Sequence, residues 1–386
     1  MLVASAPDND LLAPEGAQAP LRSGADRPRP PRYFLVDHHR ESPSSWRRNG
    51  RMRIRRRSAW RWPGDLCAPR ASGQAPCLVP IQLCELVGTE NMMKANERNR
   101  WWVLLLSLVP QRGLTRLVYR LARVRTPWFK DWLIGHFSRW FRVNQAEALE
   151  TNLRAYPDFN AFFTRALQPD ARPLATGKRM LCSPVDGAVS QIGLANADTL
   201  LQAKGQHFSL AALLGGDVER ARPFQDGAFA TLYLSPRDYH RIHMPLAGRL
   251  REMVHIPGRL FSVSPWTAGR IPELFARNER VVTVFETAAG PMALVLVGAT
   301  NVASIETVWA GPVTPPLGVI PRRWDYPPHG DAAIQLAKGA EMGRFNLGST
   351  VIVLFGRGAV RWEPEIRSGA ALRMGQRLGK IVKPLG

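Results

Sequence analysis

Beyond residue 180 the sequence is a series of short apolar segments separated by glycine and proline. Gly290-Pro291, preceded by two alanines, indicates a hairpin turn between two of these segments. Apolar runs of strand length with regular turn signals are typical of β-structure. The segments span residues 227–234, 248–256, 280–286, 292–299, 304–309, 350–355 and 377–382. We therefore predict a β-rich domain in this part of the chain.

Residues 310–328 interrupt this pattern with six prolines. Proline donates no backbone hydrogen bond, so it fits poorly in the interior of a sheet. This segment is expected to form a surface loop.

Two amphipathic stretches precede the predicted β-rich domain. Apolar residues recur at helical spacing between Leu114 and Leu121, with arginines on another face, and Pro127 opens a second stretch rich in tryptophan and phenylalanine. Residues 112–142 contain eight basic side chains and one acid. Helices of this composition can lie in the headgroup layer of an anionic membrane. A helical pair that caps the domain is the alternative. The apolar block at residues 101–109 has about half the length needed to cross a bilayer.

Residues 1–91 contain eleven prolines, and they contain arginine but no lysine. Their apolar residues do not recur with the period of a helix or of a strand. Such a segment lacks the apolar surface that a packed core requires. We predict a disordered extension, with a basic nucleic-acid-binding arm as the alternative. Periodic sequence begins near Met92-Met93, which suggests that the natural start lies at one of these methionines.

The formal net charge of +21 indicates an anionic partner, either nucleic acid or an anionic membrane surface. The cysteines, Cys67, Cys77, Cys84 and Cys182, have no recognisable metal-site spacing. A zinc site or a disulfide framework is therefore not expected, and a reducing compartment is the default.

Ser349 follows Gly348 at the mouth of a predicted buried strand. Its hydroxyl can attack the Gly348 carbonyl, because glycine has no Cβ to block the approach. If the resulting ester undergoes β-elimination, the chain breaks, and loss of ammonia leaves a pyruvoyl group at position 349. An ordinary turn is the alternative for a Gly-Ser-Thr tripeptide.

A serine hydroxyl needs a base to remove its proton, and the base needs an acid to hold its tautomer. Asp186 lies in a turn framed by proline and glycine, and His240 and His243 lie three residues apart before another turn. Taken singly, the aspartate could cap its own backbone, and the histidines could form a structural or metal-binding pair. Together with Ser349 they supply an Asp-His-Ser set.

Four segments resemble the phosphatidylserine decarboxylase family, and the resemblance extends over residues 101–386. They are Phe-Asn-Ala-Phe-Phe-Thr-Arg at 159–165, Ser-Pro-Val-Asp-Gly at 183–187, Tyr-His-Arg-Ile-His-Met-Pro at 239–245 and Leu-Gly-Ser-Thr at 347–350. The resemblance implies that Asp186, His243 and Ser349 form the charge relay for self-cleavage. It implies that the chain is cut between Gly348 and Ser349 into a β chain and an α chain. It also associates His240 with decarboxylation, in which we expect this histidine to donate a proton.

The resemblance implies a pyruvoyl cofactor derived from Ser349 that forms a Schiff base with phosphatidylserine and releases phosphatidylethanolamine and CO2. The expected fold class is α+β, with amphipathic membrane-associating helices at residues 92–150 followed by a catalytic sandwich of β-hairpins at residues 151–386. Expected partners are phosphatidylserine in an anionic membrane and the β and α chains of one precursor, without nucleic acid. A higher oligomer is left open. The expected location is peripheral, on the cytoplasmic side of the inner cell membrane.

Other functions account for fewer of these sequence features. Pyridoxal phosphate is disfavoured because no lysine of the predicted catalytic domain lies in a recognisable cofactor motif. Residues 244–248 and 366–375 resemble the hairpins of lipoyl and biotinyl carriers, but neither has the lysine that a carrier needs. A basic membrane-binding or nucleic-acid-binding protein without catalysis would leave Ser349 unexplained. A serine hydrolase would use the same Asp-His-Ser set without cutting its own chain.

Overall fold

The computed structural model describes residues 111–203, 205–299, 304–314, 320–347 and 349–382. The predicted extension at residues 1–91 and the apolar block at residues 101–109 lie outside the described residues, and so does Gly348. Helices and strands are numbered below in chain order among the described residues.

The β-rich prediction is confirmed, because strands account for far more of the described chain beyond residue 180 than helices do. The strands are β1 (Met180–Cys182), β2 (Gly187–Leu194), β3 (Thr199–Ala203), β4 (Gln206–Ser209), β5 (Ala228–Leu234), β6 (Arg241–His243), β7 (Gly248–Ile256), β8 (Arg280–Thr287), β9 (Gly290–Val297), β10 (Ile305–Thr307), β11 (Gly311–Thr314), β12 (Arg322–Asp325), β13 (Gln335–Leu336), β14 (Glu341–Phe345), β15 (Ser349–Phe355), β16 (Val360–Trp362), β17 (Ala371–Leu372) and β18 (Arg377–Ile381).

One sheet of nine strands dominates the described fold, in the order β12-β7-β8-β9-β15-β5-β2-β17, with β13 also paired to β7. A second sheet has the order β11-β10-β14-β6, a third has β1-β18-β16, and β3 pairs with β4. Their neighbouring strands run antiparallel. The hairpin predicted at Gly290-Pro291 joins β8 to β9, and Gly290 adopts a positive φ of 87° at this turn.

Strand β15 lies between β9 and β5, and all seven of its residues are buried. A strand covered on both faces needs apolar side chains throughout, which explains the continuous run from Val351 to Phe355. The sequence directly after Ser349 is therefore embedded in the main hydrophobic core.

The prediction of a surface loop at residues 310–328 was wrong in part. Strands β11 and β12 lie within this segment, and each is the terminal strand of its sheet. An edge strand leaves backbone groups on one side unpaired, so it tolerates proline such as Pro312 in β11. Residues 315–319 lie outside the described residues.

The helices longer than five residues in the described chain are α1 (Gln111–Leu121) and α2 (Pro127–Phe141). The shorter ones are α3 (Phe159–Phe163), α4 (Leu210–Leu213), α5 (Val218–Ala221), α6 (Pro265–Ala268) and α7 (Leu274–Arg277), with 3₁₀ turns at Leu153–Ala155 and Arg222–Phe224. No described helix is both long enough and apolar enough to cross a membrane.

Helix α2 has one buried and one exposed aromatic face. Phe137 packs on α3, with ring centroids 4.9 Å from Phe159 and 5.9 Å from Phe163. Trp128, Trp132 and Trp140 lie on the opposite side and are 74%, 54% and 83% exposed. Their spacing of four and eight residues places them on one face of the helix. We call these three side chains the tryptophan face.

Candidate active site

One end of the large sheet brings the sequence motifs together. Ser349, the first residue of β15, pairs with Leu234 at the end of β5, and the preceding β5 residue Tyr233 pairs with Ala188 of β2. Asp186 lies just before β2. The turn after β5 leads to His240 and then to β6. The motifs at 183–187, 239–245 and 347–350 therefore meet at this end of the sheet.

Gly187 permits the close approach of β2 and β5 at this end. Its φ is 154°, and a Cβ atom there would lie 2.2 Å from the carbonyl oxygen of Tyr233. Any side chain would therefore push β2 away from β5. This close packing fixes the position of Asp186, the residue before Gly187.

Ser349 is completely buried, and its Oγ has no hydrogen-bond partner. Leaving a buried hydroxyl unpaired costs about 1–3 kcal/mol, and a catalytic role is one explanation for such a group in a native structure. Leu347, two residues earlier, adopts a φ of 103°. A positive φ in a residue with a branched side chain indicates backbone strain. An unpaired nucleophile and a strained backbone thus flank position 348.

His243 is held as a neutral base. Burial lowers its pKa, although the Gly339 carbonyl and the charges of Glu341 and Asp186 act in the opposite direction. Its Nδ1 lies 2.8 Å from the Gly339 carbonyl oxygen, which can only accept a hydrogen bond, so Nδ1 carries the proton. Nε2 then accepts a hydrogen bond from the Tyr239 hydroxyl at 3.0 Å. Burial raises the pKa of Tyr239 to about 12, which keeps this hydroxyl protonated.

Asp186 is bound by an arginine. Arg172 donates from Nε to Oδ1 at 2.9 Å and from Nη2 to Oδ2 at 2.6 Å, and the Met374 N–H donates to Oδ1 at 2.7 Å. The aspartate turn nevertheless lies beside His243, because the backbone N–H of His243 donates to the Pro184 carbonyl at 2.9 Å.

His240 is completely buried against α3, with its ring centroid 4.1 Å from that of Phe163. Burial lowers its pKa to about 3. Nδ1 lies 2.8 Å from the Asp238 carbonyl oxygen and therefore carries the proton, whereas Nε2 has no partner. At neutral pH this histidine thus presents a free lone pair, not a proton, at Nε2.

The geometry thus gathers Asp186, His240, His243 and Ser349 at one end of the sheet. It does not join Asp186, His243 and Ser349 in a hydrogen-bond chain among the described residues, since Asp186 and His243 have the other contacts given above and Ser349 Oγ has no partner. Their roles in self-cleavage stay predictions.

Comparison with known proteins agrees with the motifs. The family model described as phosphatidylserine decarboxylase matches residues 159–380, and a second model, described as PSD, matches residues 102–142. The first match covers more than half of the chain. The chain belongs to the phosphatidylserine decarboxylase family.

Individual relatives agree with this assignment. A phosphatidylserine decarboxylase proenzyme of Nitrosococcus oceani is 56% identical over 287 residues, which are 74% of this chain and 93% of the relative. Proteins of the same name from Marinobacter nauticus and Ectopseudomonas mendocina are 54% and 55% identical, each over 73% of this chain and 98% of the relative. The family resemblance inferred from the sequence motifs is confirmed.

Sequence reasoning missed several residues that contact the candidate site. Only the fold shows that Arg172 contacts Asp186 and that the Tyr239 hydroxyl and the Gly339 carbonyl contact His243. Arg165, whose Nη2 donates to the Arg237 carbonyl at 3.3 Å in the turn before His240, was also missed, although it ends the family-like pattern at residues 159–165. That pattern was the available signal, because it placed a basic residue two positions after a cluster of phenylalanines.

Proposed function

We propose that this chain decarboxylates phosphatidylserine to phosphatidylethanolamine and CO2, after cutting itself between Gly348 and Ser349. The observation that supports this most directly is the buried Ser349 hydroxyl without a partner, at the start of a fully buried strand. The relatives named as proenzymes point to the same processing.

His243 is the proposed base for the cut. Its Nε2 is unprotonated, so it can take the Ser349 proton once the Tyr239 hydroxyl releases it. The Ser349 oxygen then attacks the Gly348 carbonyl, and the peptide bond becomes an ester. Loss of the Ser349 α-proton breaks the bond between Cβ and that oxygen, which leaves as part of the new Gly348 carboxylate. Addition of water and loss of ammonia complete the new terminus.

Asp186 is proposed to favour the protonated form of His243. Its charge acts on that histidine without a hydrogen bond, since Arg172 and the Met374 N–H occupy its carboxylate. An opposite charge nearby stabilises an imidazolium, which is the form that arises when His243 accepts the serine proton.

The buried position at the start of β15 fits a pyruvoyl group, because Ser349 Oγ uses no hydrogen bond that its removal would break. Such a group supplies an electrophilic carbonyl that accepts the electron pair released when a substrate carboxylate leaves as CO2. His240 is the proposed proton carrier. It is neutral with an open Nε2, so it returns a proton to the product only after taking one up.

We also assign residues 92–150 to membrane attachment at the inner cell membrane, on its cytoplasmic side. The tryptophan face is exposed, and Leu117 and Leu121 of α1 are 54% and 42% exposed. Arginines such as Arg139 and Arg142 border these apolar side chains. Exposed tryptophan with flanking cations matches an anionic lipid surface. The assembled enzyme is proposed to be a heterodimer of one β and one α chain.

The test is conversion of phosphatidylserine in mixed detergent micelles, with phosphatidylethanolamine measured by mass spectrometry. The wild-type chain is expected to form the product, and Ser349→Ala to form none. Ser368→Ala is the matched control, because Ser368 is an exposed serine on the same side of the cut. Product formation by Ser349→Ala would refute the assignment of the site. A wild-type chain that makes no product and hydrolyses esters instead would favour the serine hydrolase.

A further inference from the structure

Arg165 is a buried cation without an acidic partner. The residue is 4% exposed, its Nε has no hydrogen-bond partner, and one Nη2 contact to the Arg237 carbonyl is long at 3.3 Å. None of the carboxylates in the described chain forms an ion pair with it. A buried charge is normally paired or fully hydrogen-bonded.

Other buried arginines of the described chain have hydrogen-bond or ion-pair partners that compensate for the burial of their charge. Arg220 is paired with Glu252 at 2.9 Å. Arg280 donates to the carbonyls of Leu213, Asn278 and Ala212 at 2.5–2.8 Å. Burial lowers the pKa of Arg165, yet a guanidinium remains protonated in proteins. Arg165 therefore has unused capacity to bind an anion.

The position of Arg165 links it to the candidate active site. Its guanidinium lies 5.5 Å from the ring centroid of Phe162, and the neighbouring Phe163 contacts His240. The Arg237 carbonyl that it touches belongs to the turn leading to His240, and its charge acts on that histidine. Nε of Arg165, Nε2 of His240 and Oγ of Ser349 are all buried and unpartnered.

We propose that Arg165 binds the phosphodiester of the phosphatidylserine headgroup, a step that rests on the proposed function. A guanidinium presents paired donors that match two phosphate oxygens. The phosphodiester keeps its charge throughout the reaction, so this contact holds substrate and transition state alike. A contact with the carboxylate would stabilise the group whose charge must be lost, and so would slow the reaction.

The test compares Arg165→Met, which removes the charge, with Arg165→Lys, which keeps the charge but not the paired donors of the guanidinium. Arg361→Met is the matched control, because Arg361 is an exposed arginine. Intact mass first establishes that each chain is cut. We expect Arg165→Met to raise KM by more than about tenfold and to leave kcat within about threefold of the wild-type value. This pattern is expected when the lost contact binds substrate and transition state equally. Arg165→Lys should lie between it and the wild type.

Two competitive inhibitors separate the two anionic groups of the substrate. Glycerophosphoethanolamine carries a phosphodiester without a carboxylate, and L-alanine carries a carboxylate without a phosphate. Arg165→Met should weaken inhibition by glycerophosphoethanolamine at least about tenfold and leave L-alanine within about twofold, because one bidentate ionic contact is lost. Weaker inhibition by L-alanine alone, or no change with either compound, would overturn the proposal.

Failure of this proposal is distinguishable from failure of the proposed function. A wild-type chain that is uncut and inactive refutes the function itself. An active wild-type chain whose two Arg165 variants both remain uncut refutes the phosphodiester site, because Arg165 would then serve folding or maturation.

Discussion

Arg172 holds Asp186 through hydrogen bonds from Nε and Nη2, and the same Nη2 atom also donates to Glu147 at 2.7 Å. Asp186 in turn accepts the Met374 N–H, which lies in the segment beyond the proposed cut. Burial alone would lower the pKa of Arg172, but hydrogen bonds to the two carboxylates raise it overall. This ion cluster joins the segment before α3, the aspartate turn and the segment beyond the proposed cut.

Replacing Arg172 is expected to slow self-cleavage. In Arg172→Met, Asp186 loses the hydrogen bonds that hold its carboxylate in place, so it supports the His243 imidazolium less. Removing one partner of a buried pair also costs stability, about 3 kcal/mol. The rate of cleavage, followed by gel at neutral pH, should fall.

Arg172→Lys is the control for the Arg172 prediction, because it keeps the charge. It should cleave faster than Arg172→Met at neutral pH. Equal rates for wild type and Arg172→Met at neutral pH would show that the cluster has no part in the cut.

His240 should make the protein sensitive to acid. Its pKa is near 6.5 when unfolded and about 3 in the fold, because burial disfavours the imidazolium. Between these values the unfolded chain binds a proton that the folded chain does not. The stability that is present above pH 6.5 is therefore lost as pH falls towards 3. Between pH 7 and pH 5, His240 alone should lower the free energy of unfolding by about 2 kcal/mol.

The acid sensitivity is measured by urea unfolding of Ser349→Ala, which stays one chain, with and without His240→Asn. The variant with His240→Asn should lose about 2 kcal/mol less between pH 7 and pH 5. Identical losses would mean that His240 is not buried as a neutral imidazole.

The tryptophan face should determine vesicle binding. If each ring buries about 100 Å² in the interface, it contributes about 2.5 kcal/mol. Single replacement of Trp128 or Trp140 by alanine should weaken binding to phosphatidylglycerol-containing vesicles more than about tenfold. Trp266→Ala is the matched control, since Trp266 is 49% exposed but lies on α6. Equal loss with Trp266→Ala would refute a specific membrane face.

The β and α chains should remain associated after the cut. Strand β15 begins at Ser349 and pairs with both β9 and β5, so the α chain forms part of the middle of the large sheet. Size-exclusion chromatography without denaturant should give one peak that contains both chains. Separate elution of the small chain would contradict the observed strand order.

The sequence predicted the buried strands well and the edge strands poorly. The apolar run after Ser349 was predicted correctly as a buried strand, because both faces of β15 are covered and every position from Val351 to Phe355 is apolar. Strands β11 and β12 were missed because an edge position accepts the prolines that argued against a strand. The turn between β8 and β9 was predictable from local glycine and proline.

The candidate site was predictable in its members but not in their contacts. Motif order and acid-base chemistry selected Asp186, His240, His243 and Ser349. The Met374 N–H contacts Asp186 from 188 positions away, and the Gly339 carbonyl contacts His243 from 96 positions away. Such partners depend on how distant strands align, which local sequence patterns do not encode.

Self-cleavage at Ser349 is tested most directly by the intact masses of the denatured protein. A large chain and a fragment of about 4 kDa, covering residues 349–386, are predicted. The fragment should resist Edman degradation and weigh one ammonia less than its unmodified sequence, as a pyruvoyl terminus requires. A single species at 43.0 kDa would contradict the account, because Ser349 would then be an ordinary buried residue.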